Sequence, residues 1–354
     1  MPEIKKHLKD LIRVSNELCS RVKLLRLDMN ESVSGLPAAF VKEVFSSVNP
    51  DFLATYPEYN AITRKLADYN GIKRENICLA NGSDAAIKYV FDAYIRRGDK
   101  VLLTDPTFAM YPVYCRMFDA KCIFANYKKD FKFPFEDFYG KLTKKVKMAV
   151  IVNPNNPTGS VIDKTDMDKI LKKSLANNIL LLIDEAYFYY YKRTFIKQIK
   201  NYDNLIVLRT FSKLCGIAAA RFGYASADKT IIEGLQKVKP TYDINGFSTL
   251  LAERIISKKG LIKNLIGNAK KGKAYLCHEL KKKKIDYIEG NANFILIKCG
   301  KKVDNIIRKL LNKGIIVHGG FSQGFLKDYL RVTVGNKEDM TKFCGIFLKI
   351  MGKR

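Results

Sequence analysis

The chemical reading of the chain starts from one lysine. Lys213 sits in the stretch Leu205–Tyr224, LIVLRTFSKLCGIAAARFGY. It lies between a strand-like apolar run, Leu205-Ile206-Val207-Leu208, and a small-residue run, Gly216-Ile217-Ala218-Ala219-Ala220. Ser212 precedes it, and Arg221 follows further along the same stretch. Burial between apolar segments disfavours the charged form of an amine and lowers its pKa, which a nitrogen nucleophile needs near neutral pH. The alternative is a lysine on a solvated loop, the usual place for this residue. Other reactive or binding groups occur in the same setting, just after an apolar run. Asn81-Gly82-Ser83-Asp84 follows Ile77–Ala80, and Phe108 follows Val101-Leu102-Leu103. Asn153-Pro154-Asn155-Asn156-Pro157-Thr158-Gly159 follows Val146–Val152, and Asp184-Glu185-Ala186-Tyr187 follows Ile179–Ile183. A Gly-Ser turn between a strand and a helix start presents free backbone N–H groups at the positive end of a helix dipole, which suits phosphate. The same residues also read as an ordinary helix cap.

The elements that must position these groups alternate. Continuous apolar runs of strand length are separated by helical patterns at Ala38–Ser46, Ala61–Tyr69, Ala85–Ile95 and Lys164–Asn177. That alternation predicts an α/β domain whose mainly parallel sheet is covered by helices on both faces. In such sheets sites form at the carboxyl ends of the strands, which gathers Ser83, Phe108, Asn156, Asp184, Tyr187 and Lys213 along one edge. Residues 1 to about 25 carry Ile4, Leu8, Leu11, Ile12 and Leu18 at helical spacing, followed by a turn-rich arm through Pro37. From about Gly246 the pattern changes to long helices interleaved with Ile285–Ile288, Phe294–Ile297, Ile315–Val317 and Tyr329–Val334. The expected organisation is an N-terminal helix and arm (1–37), a large domain (38–245) and a smaller α+β domain (246–354).

The bulk composition fits this reading. With 354 residues, 47% of them hydrophobic, the chain is long enough for two cores. The net charge of +28 favours anionic ligands, but the lysines are scattered. No zinc-finger spacing or RNA-binding aromatic motif accompanies them, so nucleic acid is not an expected partner. The eight cysteines form no CxxC pair and read as reduced core thiols. Three histidines without a Cys/His cluster predict no metal site. No apolar run approaches the length of a membrane span, so a soluble, cytoplasmic protein is expected.

Taken together, LDMNES, TYPEY, NGSDAAI, DPTFAMY, NPNNPTG, DEAY, TFSKLCGIAAARFGY, ANFILI and LRVTVG, in this order, cover nearly the whole chain. They resemble pyridoxal-phosphate (PLP) enzymes of the aspartate aminotransferase fold, fold type I, and within it the histidinol-phosphate aminotransferase branch. The resemblance implies a transaminase working by a two-stage ping-pong cycle, with PLP as its electron sink. It implies that Lys213 is the Schiff-base lysine, which bonds the cofactor aldehyde, is displaced by the substrate amine and then moves a proton to or from the substrate Cα. Asp184 matches the carboxylate paired with the pyridine nitrogen. Tyr187 and Asn156 match donors to the ring hydroxyl oxygen, and Phe108 matches the aromatic stacked on the ring. Ser83 and Asp84 match the helix-terminus contacts to the cofactor phosphate, and Ser212 and Arg221 its side-chain contacts. Tyr56 matches a tyrosine that reaches the phosphate from the neighbouring subunit, which implies a homodimer. Arg331 matches the arginine that holds the substrate's anionic group, with Asn30 and Glu31 of the arm nearby.

One position departs from the branch. Where it usually carries a second arginine for the substrate phosphate, after Gly314-Ile315-Ile316-Val317, this chain has His318. Histidine is a weaker and pH-dependent cation, so a different small phosphorylated or carboxylated amino donor becomes an option. The same branch implies an alternative reaction, decarboxylation of a phosphorylated amino acid such as threonine phosphate or serine phosphate.

Overall fold

The computed structural model describes residues 2–11, 21–191 and 193–353. Among the described residues there are twelve strands: β1 (Leu25–Leu27), β2 (Ile77–Ala80), β3 (Lys100–Asp105), β4 (Lys121–Asn126), β5 (Met148–Val152), β6 (Leu180–Asp184), β7 (Leu205–Thr210), β8 (Gly223–Ala227), β9 (Tyr287–Ile288), β10 (Phe294–Lys298), β11 (Ile315–Val317) and β12 (Tyr329–Thr333). Seven of them form the central sheet in the order β2-β8-β7-β6-β5-β3-β4. The pairs β4–β3, β3–β5, β5–β6 and β6–β7 are parallel, while β8 runs antiparallel to β7 and β2. Strands β2, β5, β6, β7 and β8 are buried along their whole length, as expected when helices cover both faces. Two apolar clusters flank this sheet, one on Ile151, Ile183 and Val207, the other on Val150, Leu182 and Leu208. Adjacent residues thus serve opposite faces, as the two-residue strand period requires.

The helices near the site begin and end for local reasons. Asn60–Asn70 stops at Gly71, whose left-handed backbone (φ 63°) closes the helix. Asn49-Pro50 ends one helix and starts another, Pro50–Ala54, because the Asn49 side chain accepts from the Phe52 N–H and proline is tolerated in the first turn. The helix Gly82–Tyr94 starts directly after β2.

The smaller domain joins β12-β10-β9 to a two-stranded parallel pair, β1 with β11. Two of its boundaries differ from the sequence expectation. The arm is part of this domain, because β1 pairs with β11 and Leu27 is buried in the cluster of Leu276, Ile295 and Phe343. The helix Gly246–Ser257 belongs with the large domain, because Leu251, Ala252 and Ile255 pack into its core. The long helix Leu261–Lys282 starts in that core at Leu261 and ends in the small-domain core at Leu276 and Leu280. The changeover therefore falls inside this helix and not at residue 246. The continuous helix expected over residues 1–25 is not seen in the described part, which has short 3-10 turns at Lys6–Leu8 and Arg21–Lys23. Residues 12–20, including Ile12, Leu18 and Cys19, lie outside the described residues.

Candidate active site

The pairings bring the strand ends together. Ala80 of β2 and Thr210 of β7 both face Gly223 of β8, and Val152 of β5 faces Asp184 of β6. A cavity of about 110 Å³ opens at this edge, lined by Ser83, Asp84, Phe108, Asn156, Asp184, Tyr187, Ser212, Lys213 and Arg221. A larger one, about 680 Å³, continues outward and shares Phe108, Asn156 and Lys213 with it. Arg331, His318 and Asn30 line this second cavity. The sequence-derived residues therefore converge, with two exceptions. Tyr56 lines neither cavity and is exposed. Glu31 is turned to Arg21 and Arg26, at 2.9 and 3.3 Å.

Lys213 is partly buried, and its amine donates to the Met29 carbonyl at 2.9 Å. Burial lowers its pKa from 10.5 to about 8, and the Arg331 and Arg221 charges push the same way against Glu31 and Asp184. Across the cavity Asp184 is buried, and desolvation raises its pKa. Two donors oppose that: the Tyr111 hydroxyl reaches Oδ2 at 2.8 Å and the Ala186 N–H reaches Oδ1 at 3.0 Å. Tyr111 was not picked out by the sequence reading. Its signal is the spacing in DPTFAMY, where it follows Phe108 by one helical turn; the two rings meet edge to face at 6.1 Å. Burial also pushes the Tyr187 hydroxyl up to about 12, so it keeps its proton and remains a donor.

At the Gly-Ser turn, Arg221 has a left-handed backbone (φ 57°) and donates from Nη1 to Ser212 Oγ at 3.3 Å. Thr210 Oγ1 supports Ser212, accepting from its N–H at 3.1 Å and donating to its hydroxyl at 3.0 Å. Two glycines make room. A Cβ on Gly82 (φ +77°) would lie 2.6 Å from Arg221 Nη2, and one on Gly223 would lie 2.5 Å from the Ser83 nitrogen. Asp84 Oδ1 is buried with no protein partner. A helix start, a fork of guanidinium donors and a serine, cleared of side-chain bulk, fit a phosphate. A desolvated amine and a buried carboxylate beside it fit the aldehyde and ring nitrogen of PLP.

The arm closes the site from the small domain. Asn30, in a left-handed conformation (φ 57°), donates from Nδ2 to the Tyr187 hydroxyl at 2.9 Å and accepts from Thr333 Oγ1 at 3.1 Å. Asn293 Nδ2 donates to the Asn30 carbonyl at 2.9 Å. Arg331 is buried; Nη1 donates to Asn156 Oδ1 at 2.5 Å and Nη2 to the Asp28 carbonyl. Its Nε is buried without a protein partner. His318 forms a β-bridge with Arg331 and packs against Phe321, ring centroids 5.1 Å apart.

The family described as Aminotransferase class I and II matches residues 24–347. A histidinol-phosphate aminotransferase of Thermoanaerobacter pseudethanolicus is 36% identical over 317 residues, covering 88% of this chain and 89% of the relative. The crystal structure of histidinol-phosphate aminotransferase from Sinorhizobium meliloti in complex with pyridoxal-5'-phosphate superposes with a TM-score of 0.88 at 18% identity, over 99% of this chain and 98% of that one. L-threonine-O-3-phosphate decarboxylase from Porphyromonas gingivalis shares the fold at a TM-score of 0.78 and 19% identity, over 93% and 100% of the two chains.

Proposed function

The chain belongs to the class I and II aminotransferases, a PLP-dependent transaminase of the histidinol-phosphate aminotransferase branch, and from that premise we propose how its residues divide the work. PLP, when bound, supplies the aldehyde that takes the amino group and the ring that accepts electrons from the substrate Cα. Lys213 anchors it and, once displaced by the substrate amine, carries the proton to and from that Cα. The lowered pKa of this amine, held next to a buried carboxylate in one cavity, is the observation that carries the assignment. Asp184 holds a proton on the ring nitrogen, oriented by Tyr111 and the Ala186 N–H. Tyr187 and Asn156 would donate to the ring hydroxyl oxygen, and Phe108 would cover one ring face, all three lining the same cavity. Ser83 and Asp84, through their backbone N–H groups, join Ser212 and Arg221 in holding the phosphate. Arg331 receives the anionic group of the amino donor. Transamination is preferred to decarboxylation, because a relative more than 30% identical across both chains carries an aminotransferase name.

The assembly is a homodimer in this reading. Tyr56 stacks on Tyr242 with ring centroids 4.1 Å apart, yet the two residues are 70% and 53% exposed. Exposed Leu53, with Phe45 and Phe52 packed against Phe247, extends this apolar surface, and a second copy would cover it. Tyr56 would then reach the phosphate of the neighbouring site. The described cysteines are all free and six of the seven are buried, which supports a reducing, cytoplasmic setting.

The test is a half-reaction. Amines are added to the PLP-loaded protein, and conversion of the cofactor to its amino form is followed by absorbance. Borohydride should fix the cofactor to Lys213 in the wild type and not in Lys213→Ala. Fixation that persists in the variant removes Lys213 from its role. Mixed dimers of Tyr56→Phe and Lys213→Ala chains should regain activity; none at all would count against shared sites.

A further inference from the structure

Among the described cysteines, two lie against each other. Cys115 is in the last turn of the helix Met110–Met117, and Cys122 is the second residue of β4. The chain turns sharply between them. The Phe118 N–H donates to the Tyr114 carbonyl at 3.0 Å, and the Ala120 N–H to the Cys115 carbonyl at 2.8 Å. It then enters β4, an edge strand of the central sheet. The two-residue strand period turns Cys122 and Phe124 to the sheet face where Cys115 is buried, and Ile123 and Ala125 to the other. There the two thiols share a hydrogen bond. Neither lines the two cavities of the site.

The surroundings of the two sulfurs differ. Cys115 is fully buried, whereas Cys122 is the one described cysteine that is not. The hydrogen bond from the Cys115 S–H favours the thiolate of Cys122 and pushes that thiol down, against the upward pull of burial. The same bond, with burial, pushes Cys115 up. In Cys78, Cys215, Cys277, Cys299 and Cys344 burial raises the thiol. A partly exposed sulfur with thiolate character, touching a sheltered second thiol, suits a peroxide-reactive cysteine and its resolving partner.

We propose that Cys122 and Cys115 are an oxidisable pair, which a hydroperoxide converts to a disulfide within the chain. The Cys122 thiolate attacks a peroxide oxygen; an S–O bond forms, the O–O bond breaks and hydroxide leaves, giving the sulfenic acid. The Cys115 sulfur then attacks the Cys122 sulfur. The S–S bond forms, the S–O bond breaks, and the departing hydroxide takes the Cys115 proton as water. With hydrogen peroxide the sum is two thiols oxidised and one peroxide reduced to two waters. A dithiol reductant reverses the change by exchange. The bond would tie the helix that carries Tyr111, the donor to Asp184, to the edge of the sheet. The inference stands independently of the transaminase reading.

The experiment treats the PLP-loaded protein with a small excess of hydrogen peroxide and counts thiols after unfolding. The count should fall by two from the chain's eight and return with dithiothreitol. Trypsin cleaves after Arg116 and Lys121, so the two cysteines fall on separate peptides, which mass spectrometry should find joined. An unchanged count, any other link, or sulfinic acid at Cys122 without a link overturns the proposal. Cys122→Ser should lose none of its remaining thiols; loss of two overturns the role given to Cys122. Cys115→Ala should stop at a Cys122 sulfenic acid, captured by dimedone, and no capture there overturns the order of attack. If Cys115→Ala does not fold, the wild-type peptide map and Cys122→Ser still decide.

Discussion

Replacing Gly82 with alanine should weaken cofactor binding while leaving the fold nearly intact. The substitution has two separable costs. The first is local: Gly82 has φ +77°, and an L-residue in the left-handed region costs about 1–2 kcal/mol. That cost falls on the folded chain with or without ligand. The second falls on the phosphate site. The new Cβ would stand 2.6 Å from Arg221 Nη2 and 3.1 Å from its Cζ, so the guanidinium has to move. A hydrogen bond to a charged group contributes about 1.5–3 kcal/mol. Losing one corresponds to a drop in affinity of roughly 10- to 150-fold. The assay is titration of the cofactor-free protein with PLP, followed by absorbance, in parallel with pyridoxal, which has no phosphate. Gly82→Ala should lose affinity for PLP by that factor, and its affinity for pyridoxal should change by less than about threefold. Equal losses for both ligands, or none for PLP, would refute the assignment of this turn to the phosphate.

Three further changes probe other parts of the site. Tyr111→Phe removes a donor from Asp184, whose pKa burial already raises, so it should rise further. Turnover should fall about tenfold at neutral pH and recover as pH increases, measured as kcat against pH; an unshifted profile would argue against the coupling. The Lys213 amine has a folded pKa near 8 against an ordinary 10.5. Between those values the unfolded chain binds the proton and the folded chain does not, so stability of the cofactor-free protein should rise with pH across this window. Melting temperatures of Lys213→Met should lack that rise, and parallel curves would exclude the shift. Arg209 and Glu185 form a buried pair at 2.9 Å, with Asn70 and Thr194 completing the guanidinium's bonds. Arg209→Met should destabilise by about 3–5 kcal/mol in denaturant unfolding, and adding Glu185→Met should restore most of it.

Much of the site was legible because its groups follow apolar runs, and strand ends in a parallel sheet converge. Asp184, Asn156 and Lys213 are of this kind: Asp184 ends the buried strand β6, and Asn156 and Lys213 lie on the turns after β5 and β7. Tyr111 was less visible because it acts from inside a helix, where a buried tyrosine looks like core until its hydroxyl is traced to Asp184. The pairing of the arm with the small domain is hidden in the sequence for a similar reason. Three residues of β1 are too few to show strand periodicity, and their partner β11 lies almost the whole chain length away. The helix Gly246–Ser257 was given to the small domain by proximity in sequence, but its packing partner is the helix Asn60–Asn70. For His318, residue type indicated a titrating cation; only the burial and the neighbouring guanidinium make it neutral.

The placement of the arm also joins the two halves of the chemistry. Asp28, Met29 and Asn30 are consecutive, and each bonds a different functional group: the Asp28 carbonyl holds Arg331, the Met29 carbonyl holds Lys213, and the Asn30 amide holds Tyr187. Arg331 belongs to β12 of the small domain and also bonds Asn156, which lies on the loop after β5 of the large domain. On the proposed role of Arg331, an arriving anion would meet a guanidinium already tied to both the arm and the loop after β5. Any shift it causes at Asp28 reaches the carbonyl holding Lys213 through a single residue. If Arg331 and Lys213 have the proposed roles, substrate recognition and the proton-carrying amine are linked by backbone geometry, so substitutions at Arg331 should register in kcat as well as in KM.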